Sequence, residues 1–254
     1  MPPPDTVAAA AEPGPTPTTV HLIGAGPGAP DLITLRGWRL LQQADVVVYD
    51  ALVDHALLAG LGAECIDAGK RAGNHGMGQD AICVLLCERA RAGQRVVRLK
   101  GGDPFVLGRG FEEVLALRAA GVACDLVPGV SSATAAPLLA GIPLTHRGIA
   151  DAFAVVSAHP REDAERPALP AWHPRLTLVV LMGVATRPLW VAELARRGWP
   201  SDTPVAFISW AGWPDQRTGR TTLAEADRAD PPPAPCVAVL GAVVGLTFPP
   251  PPTL

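Results

Sequence analysis

The sequence predicts an α/β protein made of two α/β domains, and three observations lead there. From Val20 to Val127, short β-branched runs alternate with helix-period segments, the pattern of a mainly parallel sheet covered on both faces. Glycine clusters fall at the carboxyl ends of the first and fourth of those runs, where open α/β sheets place their ligands. At Pro128-Gly129 the alternation breaks, and the strands beyond are longer, better spaced and more antiparallel in character. The expected divisions are a Pro-rich tail at 1–19, an N-terminal domain at 20–127, a C-terminal domain at 128–246 and a second Pro-rich tail at 247–254.

The first strand opens at Val20 and runs into Gly24-Ala-Gly-Pro-Gly-Ala-Pro, with a helix from about Thr34 to Gln43 that Thr34 can cap. A dinucleotide loop needs GxGxxG with its helix starting inside the motif, so that a diphosphate meets the helix N-terminus. Here the glycines fall at every second position and the helix starts late, a loop better built to line a cavity than to cradle phosphates. Asp45 to Asp50 is the second strand; Asp50, at its carboxyl end, is either a turn residue or a functional acid or base. A weaker third strand spans Ala63 to Ala68, and an amphipathic helix runs from Gln79 to Arg91, closed by Gly93.

The fourth strand, Val96 to Lys100, carries charges at Arg98 and Lys100 and stops at Gly101-Gly102-Asp103-Pro104. Bare glycine backbone lets a ligand approach closely, Asp103 can accept hydrogen bonds from hydroxyl groups, and Pro104 fixes the exit direction. A tight strand-to-helix turn with no ligand is the competing reading. A helix from Phe111 to Ala120 and a fifth strand from Val122 to Val127 follow. Ser131 or Ser132 can cap a small-residue helix through Leu139, closed by Gly141. Later strands are expected at about Ala152–Ser157, Thr177–Met182, Val205–Ser209, Arg217–Thr222 and Val237–Val244, with one helix at Arg187–Arg197 and a surface loop at His159–Pro174.

Composition narrows the function class. The chain of 254 residues is 48% hydrophobic and 18% charged with a net charge of −3, so nothing points to a nucleic-acid partner. Among its 21 basic residues only Lys70 and Lys100 are lysine, a bias that a GC-rich genome produces without any anionic substrate. No apolar run approaches the roughly 18 residues of a membrane span, and the start lacks the basic and apolar regions of a secretory signal, so a cytoplasmic location is expected. Five cysteines lack CxxC spacing, and Cys83 and Cys87 have no nearby His partner. No metal is expected, and the thiols read as free and buried.

The segments GAGPGAPDLITL, VVVYD, GKRAGNH, VVRLKGGDPFVLGRG, VPGVSSA and AGIPLTHRG, in this order and spacing, resemble those of the uroporphyrinogen-III C-methyltransferases of the S-adenosylmethionine-dependent tetrapyrrole methylase family. The resemblance covers about residues 20 to 245. It implies two α/β domains of the tetrapyrrole methylase type with S-adenosylmethionine in the cleft between them, usually in a homodimer. The implied reaction methylates two pyrrole carbons of uroporphyrinogen III to give precorrin-2, the branch compound for sirohaem and cobalamin, leaving S-adenosylhomocysteine. By motif position Pro27, Gly101, Gly102, Asp103, Val106, Ser131, Ser132, Met182 and Ala211 are the cofactor-binding residues. A Met at a strand end is otherwise read as core packing.

The same resemblance implies three catalytic residues: Asp50 as base or cation stabiliser, Lys70 as proton donor and Arg109 as the arginine that grips a substrate carboxylate. Arg71, Arg98 and Arg147 are candidate helpers for a substrate with eight carboxylates, solvated surface being the alternative for each. The chain departs from the family at Ala51, where an Arg usually follows the Asp. Leu107, Phe111, Leu138 and Leu139 depart too, as does WAGWPDQR at 210–217, which brings in Trp210 and Trp213. Cofactor-side positions are mostly kept while several substrate-side ones have become apolar, which leaves a relative methylating a different acceptor as the alternative.

Overall fold

The computed structural model describes residues 19–69, 77–159, 167–228 and 233–246. The first half is a wholly parallel five-stranded sheet of β1 (Val20–Gly24), β2 (Val46–Tyr49), β3 (Glu64–Asp67), β4 (Val96–Lys100) and β5 (Cys124–Val127), in the order β3-β2-β4-β1-β5. Its helices are α1 (Leu35–Gln42), α2 (Gln79–Arg91) and α3 (Gly110–Ala119). Thr34 caps α1 as its sequence suggests, its hydroxyl accepting from the Gly37 N–H at 3.1 Å.

Strand periodicity divides the apolar side chains between the two faces. Val20, Val46, Val48 and Val96 pack with Ile82 and Leu86 of α2 and Leu117 of α3. On the opposite face Ile23, Val47, Tyr49, Val97 and Leu99 pack with Leu41 of α1. The connection leaving β1 passes over β4 to reach β2, whereas the one leaving β4 passes over β1 to reach β5. Neighbouring strands whose connections depart in opposite directions open a crevice at their carboxyl ends, between β1 and β4.

The second half is a mixed sheet of β6 (Ala152–Ser157), β7 (Leu176–Leu181), β8 (Pro204–Ser209), β9 (Arg217–Thr222) and β10 (Cys236–Leu240), ordered β6-β7-β10-β8-β9. Only β6 and β7 pair in parallel; the antiparallel character expected of this half comes from β10, β8 and β9. Helix α4 (Ser132–Leu139) covers one face through Ala133 and Ala136, packed with Val179, Leu181, Ala206, Ile208 and Val239. Helix α5 (Arg187–Arg196) covers the other through Trp190 and Leu194, packed with Leu178, Val180, Val205 and Phe207. The first helix after β5 thus already belongs to the second core.

Three sequence expectations are corrected. The final strand stops at Leu240 and not at Val244, because Gly241 at φ 131° turns the chain into a 3-10 segment at Ala242–Gly245. Helix α3 starts one residue early, at Gly110. The cysteines are free but not uniformly buried: Cys87 is buried, Cys65 is exposed on edge strand β3, and the rest lie between. No helix among the described residues is long and apolar enough to cross a membrane.

Candidate active site

Three strand ends meet backbone to backbone at the crevice. A Cβ on Gly24, at the end of β1, would lie 2.5 Å from the Gly102 carbonyl oxygen and 2.5 Å from Gly129 Cα. A Cβ on Gly129, after β5, would run into that same Gly102 oxygen. Gly26 and Gly102 exchange backbone hydrogen bonds, 2.7 Å from the Gly102 N–H and 3.3 Å from the Gly26 N–H, joining the two glycine loops. Only residues without side chains can approach this closely, and the outcome is a floor of bare backbone across the carboxyl ends of β4, β1 and β5.

Asp103 ties this floor together: one carboxylate oxygen accepts from the Phe105 N–H at 2.8 Å and the other from the Gly129 N–H at 3.1 Å. Each oxygen keeps a second lone pair for a hydroxyl donor. Ser131 caps α4, its hydroxyl accepting from Ala133 N–H at 3.2 Å. The Ser132 N–H adjoins Gly102, 3.6 Å from where a Cβ on that glycine would lie. Val106 reaches across and packs against the core of the second sheet.

The second half closes over the first glycine loop. Ala211, buried, directs its carbonyl at Gly28, and the Trp213 indole edge occupies the space a Gly28 side chain would need. Gly212 abuts Ala29, and the Gln216 side chain donates to the Leu139 carbonyl at 3.1 Å while accepting from Gly212 N–H at 3.0 Å. Trp210 and Trp213 stack edge to face at 5.6 Å. Met182 is 51% exposed at the end of β7, which disposes of the core-packing reading. Met182 and Trp210 both hold positive φ, at 56° and 53°, as do Leu107 and Arg109 after β4. All four stand in the loops that follow β4, β7 and β8 at this junction, and non-glycine residues in that conformation concentrate at ligand clamps.

Asp50 lies at the carboxyl end of β2, its side chain 31% exposed, with Arg98 donating to one oxygen and the Lys100 ammonium 3.6 Å from the other. Arg98 and Lys100 also reach Glu113 of α3, at 3.2 and 3.1 Å. Arg98 is therefore not a free hand for substrate carboxylates: at 1% exposure it is locked under the sheet rim. No sequence motif marks Glu113; its signal is the α3 spacing that places it with Leu117 on the sheet-facing side. Arg109 stands at the N-cap position of α3, at the surface, and pairs with Glu112 at 2.5 Å, a contact that lowers the ionisation range of the Glu112 carboxyl. Arg147 is exposed. Lys70 and Arg71 lie outside the described residues.

The lining suits one class of ligand better than another. Residues 24–33 and 101–108 contain no Lys or Arg, so the glycine loops offer no cation to a phosphate. They offer backbone amides and the Asp103 carboxylate, to which the second half adds the Met182 thioether and the Trp213 indole, a set that fits a phosphate-free, partly apolar ligand bearing hydroxyl groups.

Comparison with known proteins gives a consistent result. The family model for Tetrapyrrole (Corrin/Porphyrin) Methylases matches residues 19–227. A siroheme synthase of Actinobacillus pleuropneumoniae serotype 7 is 45% identical over 234 residues, 89% of this chain and 48% of its own length. The chain thus spans about half the length of the siroheme synthases it matches. A uroporphyrinogen-III C-methyltransferase of Methanocaldococcus jannaschii is 43% identical over 237 residues, covering 89% of this chain and 97% of its own. The crystal structure of a Thermus thermophilus uroporphyrin-III C-methyl transferase complexed with S-adenyl homocysteine superposes with a TM-score of 0.78 at 44% identity, over 89% of this chain and 93% of that one.

Proposed function

The chain belongs to the tetrapyrrole methylase family, and from that premise we propose that it is an S-adenosylmethionine-dependent C-methyltransferase acting on two pyrrole carbons of uroporphyrinogen III. The observation that carries this reading is the bare-backbone floor of Gly24, Gly102 and Gly129, with Ala211 and Trp213 packed on the adjoining loop at Gly28 and no Lys or Arg in residues 24–33 or 101–108. Bound there, S-adenosylmethionine would supply a methyl group already made electrophilic by its sulfonium.

The protein's share of the work is then alignment and charge placement. Pro27, Gly101, Gly102 and Val106 present backbone to the donor, Asp103 accepts from its hydroxyl groups, and Ser131, Ser132, Met182 and Ala211 line the opposite side. Fixing donor and ring carbon in one orientation removes up to roughly 7–11 kcal/mol of barrier in the most favourable cases. Asp50 stands as an anion toward the ring that becomes cationic on attack, and receives the proton that must leave. Arg109 offers a planar fork to a substrate carboxylate, and Lys70 serves as proton donor. The two halves, dividing at 127/128, act as domains clamping the donor, in a cytoplasmic homodimer.

The test is incubation of the purified protein with S-adenosylmethionine and uroporphyrinogen III, followed by mass spectrometry and absorbance of the oxidised product. A mass gain of two methyl groups is expected. Protein that binds S-adenosylhomocysteine by calorimetry yet leaves uroporphyrinogen III unmethylated overturns the acceptor assignment; protein that binds neither form of the donor overturns the whole reading.

A further inference from the structure

We propose that Arg98 and Glu113 are positioning residues that hold Asp50 as a fixed carboxylate at the carboxyl end of β2. The proposal deepens, and rests on, the role given to Asp50 above.

The unit follows from strand parity. Val46, Val48 and Asp50 share one face of the sheet with Val96, Arg98 and Lys100, and the Val48↔Arg98 register sets the guanidinium beside the end of β2. All three guanidinium nitrogens are used. One terminal nitrogen donates to Asp50, the other to the Val48 and Leu99 carbonyls at 3.2 and 3.3 Å, and Nε donates to Glu113 at 3.2 Å. A planar fork held at three points cannot swing, so neither can the carboxylate it grips.

Structural economy does not explain the arrangement. Glu113 is wholly buried, and one of its oxygens collects Arg98, Lys100 and the Gln79 amide (3.0 Å) while the other, Oε2, has no partner among the described residues. A buried ion cluster left partly unsatisfied is a poor device for stability, since apolar side chains of the same volume often do as well or better. Its one member with substantial access to the cleft side is Asp50; the side chains of Arg98, Lys100 and Glu113 are 0–4% exposed.

Among the described residues, the following groups surround Asp50 and its partners. Strand β4 supplies Arg98 and Lys100, and α3 supplies Glu113, with Glu112 close enough to feel Lys100. On α2, Gln79 and Cys83 lie beside Glu113. On β3, Asp67 is engaged by the Gly69 N–H at 2.8 Å, while Tyr49 of β2 itself faces the opposite side.

The experiment measures kcat and KM for uroporphyrinogen III in Arg98→Gln, Glu113→Gln, Arg98→Lys and Asp50→Asn in the full chain, with S-adenosylhomocysteine affinity as the control. Arg98→Gln and Glu113→Gln are expected to lower kcat about tenfold or more through misplacement of the carboxylate, with KM and donor affinity within about twofold, and Arg98→Lys to recover part of the loss. Damage to packing alone would instead move donor affinity and KM together with kcat. That joint change, or Gln variants that keep the parent kcat while Asp50→Asn is inactive, overturns this proposal and leaves the role of Asp50 standing. Full activity in Asp50→Asn overturns both. Should Arg98→Gln fail to fold, a parental kcat in Glu113→Gln still refutes the idea.

Discussion

Replacing Gly24 by Ala isolates the glycine floor from every side-chain effect. The nearest atoms to the new Cβ are all backbone: the Gly102 oxygen at 2.5 Å, Gly129 Cα at 2.5 Å and Gly129 N at 2.6 Å. Ordinary contact begins near 3.4 Å, so two loops must retreat by about 0.9 Å. Neither is free to do so, because Asp103 pins Gly129 and the Gly26–Gly102 bridge pins the other side. Overpacking of this kind costs about 1–3 kcal/mol, or a fall in Tm of about 2–4 °C per kcal/mol for a chain of this size. The functional loss should exceed the structural one, since about 1 Å of misplacement can cost about 100-fold in rate. Thermal melting and calorimetric titration with S-adenosylhomocysteine are the assays. Gly24→Ala protein that melts and binds as the parent does would refute the claim that bare backbone builds this site.

Other expectations are simpler to state. Trp190→Phe removes the buried indole N–H that donates to the Gly183 carbonyl at 2.9 Å, beside Met182; orphaning that carbonyl should cost about 1–3 kcal/mol in a denaturant titration. Bonds from Arg196 and Arg197 hold Glu193 at about 2, and bonds from Arg95 hold Asp45 at about 2. Folded values below the unfolded ones mean stability that is complete above the unfolded range and lost as pH falls from about 4.5 toward 2; an acid titration of Glu193→Gln should show a shallower loss than the parent. Native thiol labelling at pH 8 should modify Cys65 first, with Cys124, whose thiol is pushed up to about 11 chiefly by burial, unreactive until unfolding. Trp213→Phe should diminish the fluorescence change that donor binding produces, because that indole edge packs on the first glycine loop.

Most of the architecture was legible because it is local. Helix α2 runs over Gln79–Arg91 as its periodicity indicates, Thr34 and Ser131 cap where their hydroxyls suggest, and β4 ends where two glycines and a proline end it. The motif order alone was enough to find the family. What it could not supply was anything that depends on strand order. Arg98 and Lys100 alternate with apolar neighbours, the pattern of a strand with one wet face; only the central place of β4 between β2 and β1, with Glu113 of α3 reaching it, buries both charges and hands them to Glu113 and Asp50. The same holds for Gly24, Gly102 and Gly129, which are far apart in the chain and serve as turn glycines until β4-β1-β5 adjacency presses their backbones together. Periodicity and turn chemistry act over a few residues and are written in the sequence, whereas desolvation and backbone contact arise between residues that only the folded sheet makes neighbours.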